Sequence, residues 1–143
     1  MANRSSFRPE ITPERLNERS RGHLPGLVGL EVLEVAEGRL AGRLPLRREL
    51  LAPNGFLHAA SVIALADTLC GYGCIAHLPE GAKGFTTVEL KSNFLGTLLE
   101  GVIACEATPV HLGRNTQVWD AVVRDEALGK RLALFRCTQM ILW

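Results

Sequence analysis

The spacing of apolar and polar residues changes along the chain and predicts seven elements. Two segments with a period of two, "LVGLEVLEVAEG" and "RLAGRLPLR", predict two strands joined by a hairpin turn at Glu37-Gly38. Residues 58–78 form an apolar run that is too long for a strand and predicts a helix. Four more strands are predicted over residues 85–95, 100–113, 115–126 and 130–143.

The predicted element order is β-β-α-β-β-β-β, which is an α+β fold. The helix is apolar or small on nearly all sides, and such a helix is buried. A single antiparallel sheet curling around this central helix would bury it. That arrangement leaves one side of the helix and one sheet edge uncovered, so we expect a homodimer or a dimer of dimers.

The first 24 residues differ from the rest because arginine and glutamate alternate there. This composition predicts a solvated arm or a short helix, for which Thr12 can cap the N-terminus and Pro13 can occupy the first turn. We therefore expect an N-terminal segment over 1–24 and one domain over 25–143. Before the central helix, Pro53, Asn54 and Gly55 predict a turn.

Composition narrows the class of protein. A length of 143 residues fits one domain, and a net charge of +1 does not favour nucleic acid as a partner. No uninterrupted apolar stretch reaches the roughly 18 residues expected of a membrane span. The four cysteines form no C-x-x-C pair, so reduced thiols and a cytoplasmic location are expected. The histidines are scattered and predict no metal site.

Asp67 is the one acidic residue between Glu49 and Glu80, on an otherwise apolar helix. Burying an ionised carboxylate costs several kcal/mol unless a partner compensates. One interpretation is that Asp67 bonds polar groups across a subunit interface or faces solvent. The other is that it lies at the floor of a pocket and acts as a base or nucleophile.

His58 stands just before the predicted start of the helix. It is a structural loop histidine in one interpretation; in the other, it marks the helix start whose first amides, those of Ala59 and Ala60, polarise a carbonyl oxygen. Asp67 follows nine residues later, roughly 13 Å along a helix axis. If the helix-start amides and the Asp67 carboxylate act on one carbonyl, they therefore come from different subunits.

The segment "LHAASVIALADT" resembles the "HGG…LaDt" signature of the hotdog-fold acyl-CoA thioesterases, in the PaaI-like branch of the 4-hydroxybenzoyl-CoA thioesterase superfamily. The resemblance extends from about residue 23 to the end of the chain. It implies a hotdog fold that hydrolyses an acyl-CoA thioester and needs no cofactor beyond the coenzyme A of its substrate. Asp67 would be the general base or nucleophile, the Ala59 amide the oxyanion donor, and Thr87 a residue that holds the water or the carboxylate.

Two positions depart from the family pattern. Ala59 and Ala60 replace paired glycines, and Ala52 stands where many members have Asn or Gln, so that Asn54 is the available substitute. The turn at 113–115 resembles the family's Gly-basic turn, whose arginine either meets a CoA phosphate or is an ordinary solvated residue. The catalytic candidates are Asp67, His58, Ala59, Asn54 and Thr87. The substrate-binding candidates are Gly55, Thr68, Phe94, Gly113, Arg114 and Asn115.

Two alternatives to hydrolysis remain. The Ala59-Ala60 pair favours an acyl-CoA-binding hotdog protein without turnover. A hydratase or dehydratase is less favoured because His58 has no clear second acid within reach. Four aromatic residues are candidates for lining an acyl pocket or for the core: Phe56, Tyr72, Phe85 and Phe94.

Overall fold

The protein is one antiparallel six-stranded sheet wrapped around a long helix. The computed structural model describes residues 6–143. Its elements are α1 (Pro13–Ser20), α2 (Leu24–Val28), β1 (Glu31–Ala36), β2 (Arg39–Pro45), a 3-10 turn (Arg48–Leu50), α3 (Ala59–Ala76), β3 (Gly84–Phe94), β4 (Val102–Leu112), β5 (Thr116–Asp125) and β6 (Arg131–Leu142). The strand order is β1-β2-β4-β5-β6-β3. The predicted α+β class, the order of the main elements and the central helix are confirmed.

Helix α3 lies so close to the sheet that glycine is required on its packed side. A Cβ added at Gly73 would lie 2.7 Å from the ring of Trp119, and one at Gly71 would lie 2.9 Å from the ring of Phe85. Leu65 and Leu69 on the same helix are fully buried. The two glycines thus lower the intrinsic helix propensity but let two aromatic rings pack against the helix backbone.

α3 also has the length and hydropathy of a membrane span, judged by composition alone. Most of this helix is buried inside the sheet. The core helix of a globular domain passes the same test. All four cysteines are buried and free.

The prediction of strand from residue 27 onward was wrong for its first residues. Residues Leu24–Val28 form the short helix α2, and β1 begins at Glu31. Pro25 lies in the first turn of α2, where its missing N–H costs no hydrogen bond. Gly29 ends the helix in the left-handed region with φ 88°. These two signals prevail over the period-two pattern.

The N-terminal segment contains the short helix, and this helix is docked rather than solvated. Thr12 caps α1 by accepting a hydrogen bond from the Arg15 amide, as predicted. Leu16 is buried, and the Ser20 hydroxyl lies 2.6 Å from the Tyr72 hydroxyl on α3. The division of the chain at residue 24 stays a prediction.

The two edge strands of the sheet, β1 and β3, differ. On β1, the side-chain amide of Asn17 donates to the Val32 carbonyl (3.0 Å) and accepts from the Val32 N–H (2.8 Å). No described strand pairs with the outer side of β3. Two of its apolar side chains, Val88 and Leu90, are 53% and 40% exposed. The β3 edge is therefore both unpaired and partly apolar.

Candidate functional site

His58 caps the N-terminus of α3. Its Nδ1 accepts a hydrogen bond of 2.9 Å from the Ala60 amide. The Ser61 amide donates to the His58 carbonyl at 3.0 Å. Among the described residues the Ala59 amide has no acceptor, because the first N–H of a helix has none within the helix. Of the two amides predicted to polarise a carbonyl, Ala60 is therefore occupied by the cap and Ala59 is available.

An open cleft of about 380 Å³ lies beside this amide. It is lined by Phe56, Leu57, Ala59, Val62, Phe94, Gly96 and Thr97. The Leu57 amide donates to the Thr97 hydroxyl at 3.0 Å, which fixes the loop before α3 against the segment after β3. The structure therefore brings Ala59 and Phe94 to one cleft, although they are far apart in the sequence.

The aromatic candidates divide into two pairs. Phe56 and Phe94 line the cleft and are 57% and 47% exposed. Tyr72 is bonded to Ser20 in the interior, and Phe85 packs with the second hydrophobic cluster beneath the end of α3. Only the first pair is placed to contact an acyl group at the cleft.

Asp67 lies half-buried in the middle of α3. Its Oδ1 atom is buried and has no hydrogen-bond partner among the described residues. Burial raises the pKa of this carboxyl above its ordinary value, and a hydrogen bond from Thr87 opposes that rise with a smaller effect. The structure thus brings Asp67 and Thr87 together. A half-buried carboxylate with a raised pKa is suited to accept a proton.

Sequence reasoning missed Gln139, a fully buried residue on β6. The Thr87 hydroxyl lies 2.7 Å from Gln139 Oε1, and the two residues are register partners across β3 and β6. The available signal was a glutamine in the middle of an apolar strand, "LFRCTQMIL". Because Gln139 is distant from Asp67 in sequence, no local pattern could connect the two.

Asn54 and Gly55 form the turn that leads to His58. The side-chain Oδ1 of Asn54 accepts from the Phe56 amide at 3.1 Å, so this side chain is committed to its own turn. Gly55 has φ 89°. Both residues are exposed. The structure does not bring Asn54 to Asp67, and Thr68 is half-buried on α3.

The turn at 113–115 lies at the opposite end of α3 from His58. It joins β4 to β5, and the Gly113 amide donates to the Thr116 carbonyl at 2.9 Å. The Arg114 guanidinium lies 5.1 Å from the ring centroid of Trp143. Trp143 in turn lies near Gly81, just after α3 ends. Apart from Thr68 in the middle of α3, the predicted substrate-binding residues thus form two groups separated by the length of the helix.

The same helix separates the Ala59 amide from Asp67 within one chain. Eight residues of helical rise correspond to roughly 12 Å. That distance is too long for both groups to act on one carbonyl. Within residues 6–143, no group of three or more His, Cys, Asp or Glu side chains is arranged to hold a metal ion.

Comparison with known proteins identifies the family. The thioesterase superfamily model matches residues 54–131, more than half of the chain. The 1,4-dihydroxy-2-naphthoyl-CoA hydrolase of Escherichia coli is 27% identical over 139 residues, covering 95% of this chain and 98% of that protein. A proofreading thioesterase of Klebsiella pneumoniae is 29% identical over 139 residues, covering 96% and 98%.

Solved structures agree with the sequence comparison. A mutant thioesterase from Pseudomonas aeruginosa superposes with a TM-score of 0.89 at 25% identity, covering 95% of this chain and 97% of that one. A thioesterase from Haemophilus influenzae gives a TM-score of 0.86 at 27% identity, covering 99% and 95%. The superposed architecture, including the central helix that carries Asp67, and the matched sequence both point to the same family. The chain therefore has the hotdog fold and belongs to the thioesterase superfamily.

Proposed function

We propose that this protein hydrolyses an acyl-CoA thioester to a free acid and coenzyme A, in the manner of the PaaI-like branch. The observation that carries the proposal is Asp67, a half-buried carboxylate with one buried, unpartnered oxygen in the middle of the central helix. The relatives of this protein include one named as a naphthoyl-CoA hydrolase and one named as a thioesterase. An unpartnered carboxylate oxygen is able to take a proton from a water molecule or to attack a carbonyl carbon.

The Ala59 amide supplies the oxyanion contact in this proposal. It stands at the positive end of the α3 dipole and borders the cleft. The hydrogen bond between His58 and the Ala60 amide fixes the first turn, so the Ala59 N–H is held in one direction. An amide held in advance stabilises the negative oxygen of a tetrahedral intermediate without reorganising.

The reaction proceeds through addition and elimination. In the general-base version, Asp67 accepts a proton from water while the water oxygen bonds to the carbonyl carbon, and the carbonyl oxygen becomes an oxyanion at the Ala59 amide. The carbon–sulfur bond then breaks as the carbonyl re-forms. The coenzyme A thiolate leaves and takes up the proton that Asp67 holds. In the nucleophilic version, Asp67 attacks the carbon itself, the carbon–sulfur bond breaks, and the coenzyme A thiolate leaves an anhydride behind. Water then hydrolyses the anhydride, which releases the acid and restores the Asp67 carboxylate, while a proton from that water passes to the thiolate.

The site requires two subunits, because roughly 12 Å separates the two groups in one chain. The unpaired β3 edge, with its exposed Val88 and Leu90, provides the surface through which a second copy would pair. Antiparallel packing of two α3 helices would place Asp67 of one subunit near the Ala59 amide of the other. We therefore propose a homodimer, alone or as half of a dimer of dimers.

The same antiparallel packing brings the far ends of the two helices toward each other's clefts. The turn containing Arg114 would then approach the coenzyme A portion of a substrate whose acyl group lies beside Phe56 and Phe94. Arg114 offers a guanidinium that matches phosphate geometry. We propose acyl-CoA in the cytoplasm as the substrate, with no role for nucleic acid or membrane.

Purified protein assayed with a panel of aromatic and aliphatic acyl-CoAs, with detection of the released thiol, tests the activity. We expect turnover by the wild type and a loss of about 100-fold or more in Asp67→Asn. Glu100→Gln, which removes an exposed carboxylate, is the matched control and should retain full activity. Saturable coenzyme A binding by a wild type that never releases thiol would instead support the binding-protein alternative.

A mixing experiment tests whether one site draws on two subunits. Ala59→Pro deletes the proposed donor while retaining the helix, because proline is accepted at the first helical position and the extended His58 backbone (φ −66°, ψ 132°) suits a following proline. Ala59→Pro and Asp67→Asn should each be nearly inactive. Heterodimers of the two contain one intact site, so mixing after unfolding and refolding should restore activity. A mixture as inactive as its components contradicts the shared site.

A further inference from the structure

A row of polar side chains lies beneath α3, inside the sheet. Thr87, Gln139 and Gln117 are register partners across β3, β6 and β5. Gln139 and Gln117 are completely buried. Gln139 bonds to two side chains: its Oε1 lies 2.7 Å from the Thr87 hydroxyl, and its Nε2 lies 3.3 Å from Cys137 Sγ. A buried amide that joins a hydroxyl near Asp67 to a thiol has no evident packing role.

The hydrogen bonds in this arrangement can be counted. With Oε1 facing Thr87, the single hydroxyl proton of Thr87 is given to Gln139, and the amide N–H of Gln139 is given to sulfur, a weak acceptor. The contact between Thr87 and the Asp67 carboxylate is then left without that proton, and Asp67 Oδ1 is itself buried without a partner. Turning the Gln139 amide over exchanges its oxygen and nitrogen, which are almost identical in shape.

The turned amide improves every contact in the row. Its Nε2 donates to the Thr87 oxygen, so the Thr87 proton is released toward the Asp67 carboxylate. Its Oε1 accepts from the Cys137 thiol, which already lies 3.3 Å from this amide. A carboxylate is a far stronger acceptor than a thiol sulfur, and buried acceptors are nearly always satisfied.

We propose that Gln139 is a positioning residue that orients the Thr87 hydroxyl so that its proton is donated to Asp67. The inference rests on the proposed role of Asp67 as the base or nucleophile. It adds Gln139, which acts on Asp67 through Thr87. The row runs from Cys137 through Gln139 and Thr87 to Asp67, with each group donating to the next. Its effect is to hold the carboxylate in one rotamer and to favour the ionised form in a half-buried place.

The sign of a pKa change distinguishes the two amide orientations. If Thr87 donates to Asp67, Thr87→Val removes a bond to the charged form and raises the Asp67 pKa by about 0.5 units or more. Gln139→Met, of similar shape, releases the Thr87 hydroxyl from its fixed direction and raises the pKa by less. If Thr87 instead donates to Gln139, Thr87→Val leaves the Asp67 pKa unchanged and Gln139→Met lowers it.

The experiment follows the Asp67 carboxyl carbon by 13C NMR titration of the full-length protein, together with the acidic limb of kcat/KM against pH. We expect the Asp67 titration and the acidic limb of kcat/KM to move to higher pH in Thr87→Val and in Gln139→Met. The double variant should match Thr87→Val alone. Thr87→Ser should restore the wild-type titration. An unchanged pKa in Thr87→Val, or a lowered one in Gln139→Met, overturns the proposal.

Gln117→Met is the matched control, because Gln117 is equally buried and neighbours Gln139 in register but bonds to Trp119 and to the His77 carbonyl. It should lower stability and leave the Asp67 titration in place. If Gln139→Met does not fold, Thr87→Val and Thr87→Ser still decide the direction of the proton. If the Asp67 pKa changes as expected in these variants but the wild type shows no turnover, the proposed function is refuted and the positioning role of Gln139 is supported.

Discussion

Replacing Asp67 by asparagine should stabilise the protein while it removes activity. Burial is the largest influence on the pKa of Asp67 and raises it, while the hydrogen bond from Thr87 opposes the rise with a smaller effect, so the ionised carboxylate is destabilising in the folded state. The desolvation penalty of a buried group is about 1–3 kcal/mol, and the partial exposure of Asp67 places the gain from removing its charge toward the lower end. We therefore expect the free energy of unfolding to rise by about 1–1.5 kcal/mol at pH 8.

The gain should depend on pH with a definite sign. Because the pKa of Asp67 is raised in the folded state, that state binds a proton more readily than the unfolded chain. Wild-type stability relative to the asparagine variant therefore increases as the pH falls from neutral toward the ordinary value of 3.8. The difference between the two proteins should close over that interval.

Urea unfolding followed by circular dichroism at fixed protein concentration, at pH 8, 7, 6 and 5, measures the effect. For an m-value of about 1.5 kcal/mol per molar, the midpoint at pH 8 should rise by about 0.7–1 M. Glu100→Gln, at an exposed position, should show no comparable gain. A loss of stability in Asp67→Asn, or a gain that is the same at every pH, refutes the reasoning.

Three further predictions concern the ends and the packing of α3. Gly73→Ala places a methyl group 2.7 Å from the Trp119 ring and should lower the free energy of unfolding by about 1–3 kcal/mol in urea titrations; an unchanged midpoint contradicts this packing. Burial lowers the pKa of His77, whose Nε2 accepts from the Gly38 amide, so stability should decline as the pH falls below 6.5, and His77→Gln should lose that dependence. His58→Ala removes the helix cap, at a cost of about 1 kcal/mol, and should reduce turnover less than Asp67→Asn does.

The sequence predicted those parts of the fold that depend on local periodicity. A long apolar run between segments of period two is sufficient to predict α3 and the order of strands around it. The position of β3 at the edge beyond β6 does not follow from local periodicity, because it depends on pairing between distant residues such as Phe85 and Ile141. No window along the chain contains that information.

The site divides in the same way. His58 and Asp67 are separated by a helical spacing, so one short stretch of sequence carries both. The Thr87–Gln139 hydrogen bond joins two strands 52 residues apart and becomes visible only in three dimensions. The occupation of the Ala60 amide by the His58 ring is likewise a matter of side-chain conformation, which a sequence pattern does not specify.

The contrast between the two sheet edges has a consequence for the proposed dimer. At β1, the side chain of Asn17 occupies the N–H and C=O of Val32 and thereby imitates a short piece of neighbouring strand. No strand within residues 6–143 pairs with the outer side of β3. A protein with two open sheet edges could add further copies indefinitely and grow into a fibre. In the proposed dimer, two β3 strands would meet, and the Asn17 side chain would oppose strand addition beside Val32 at the other edge.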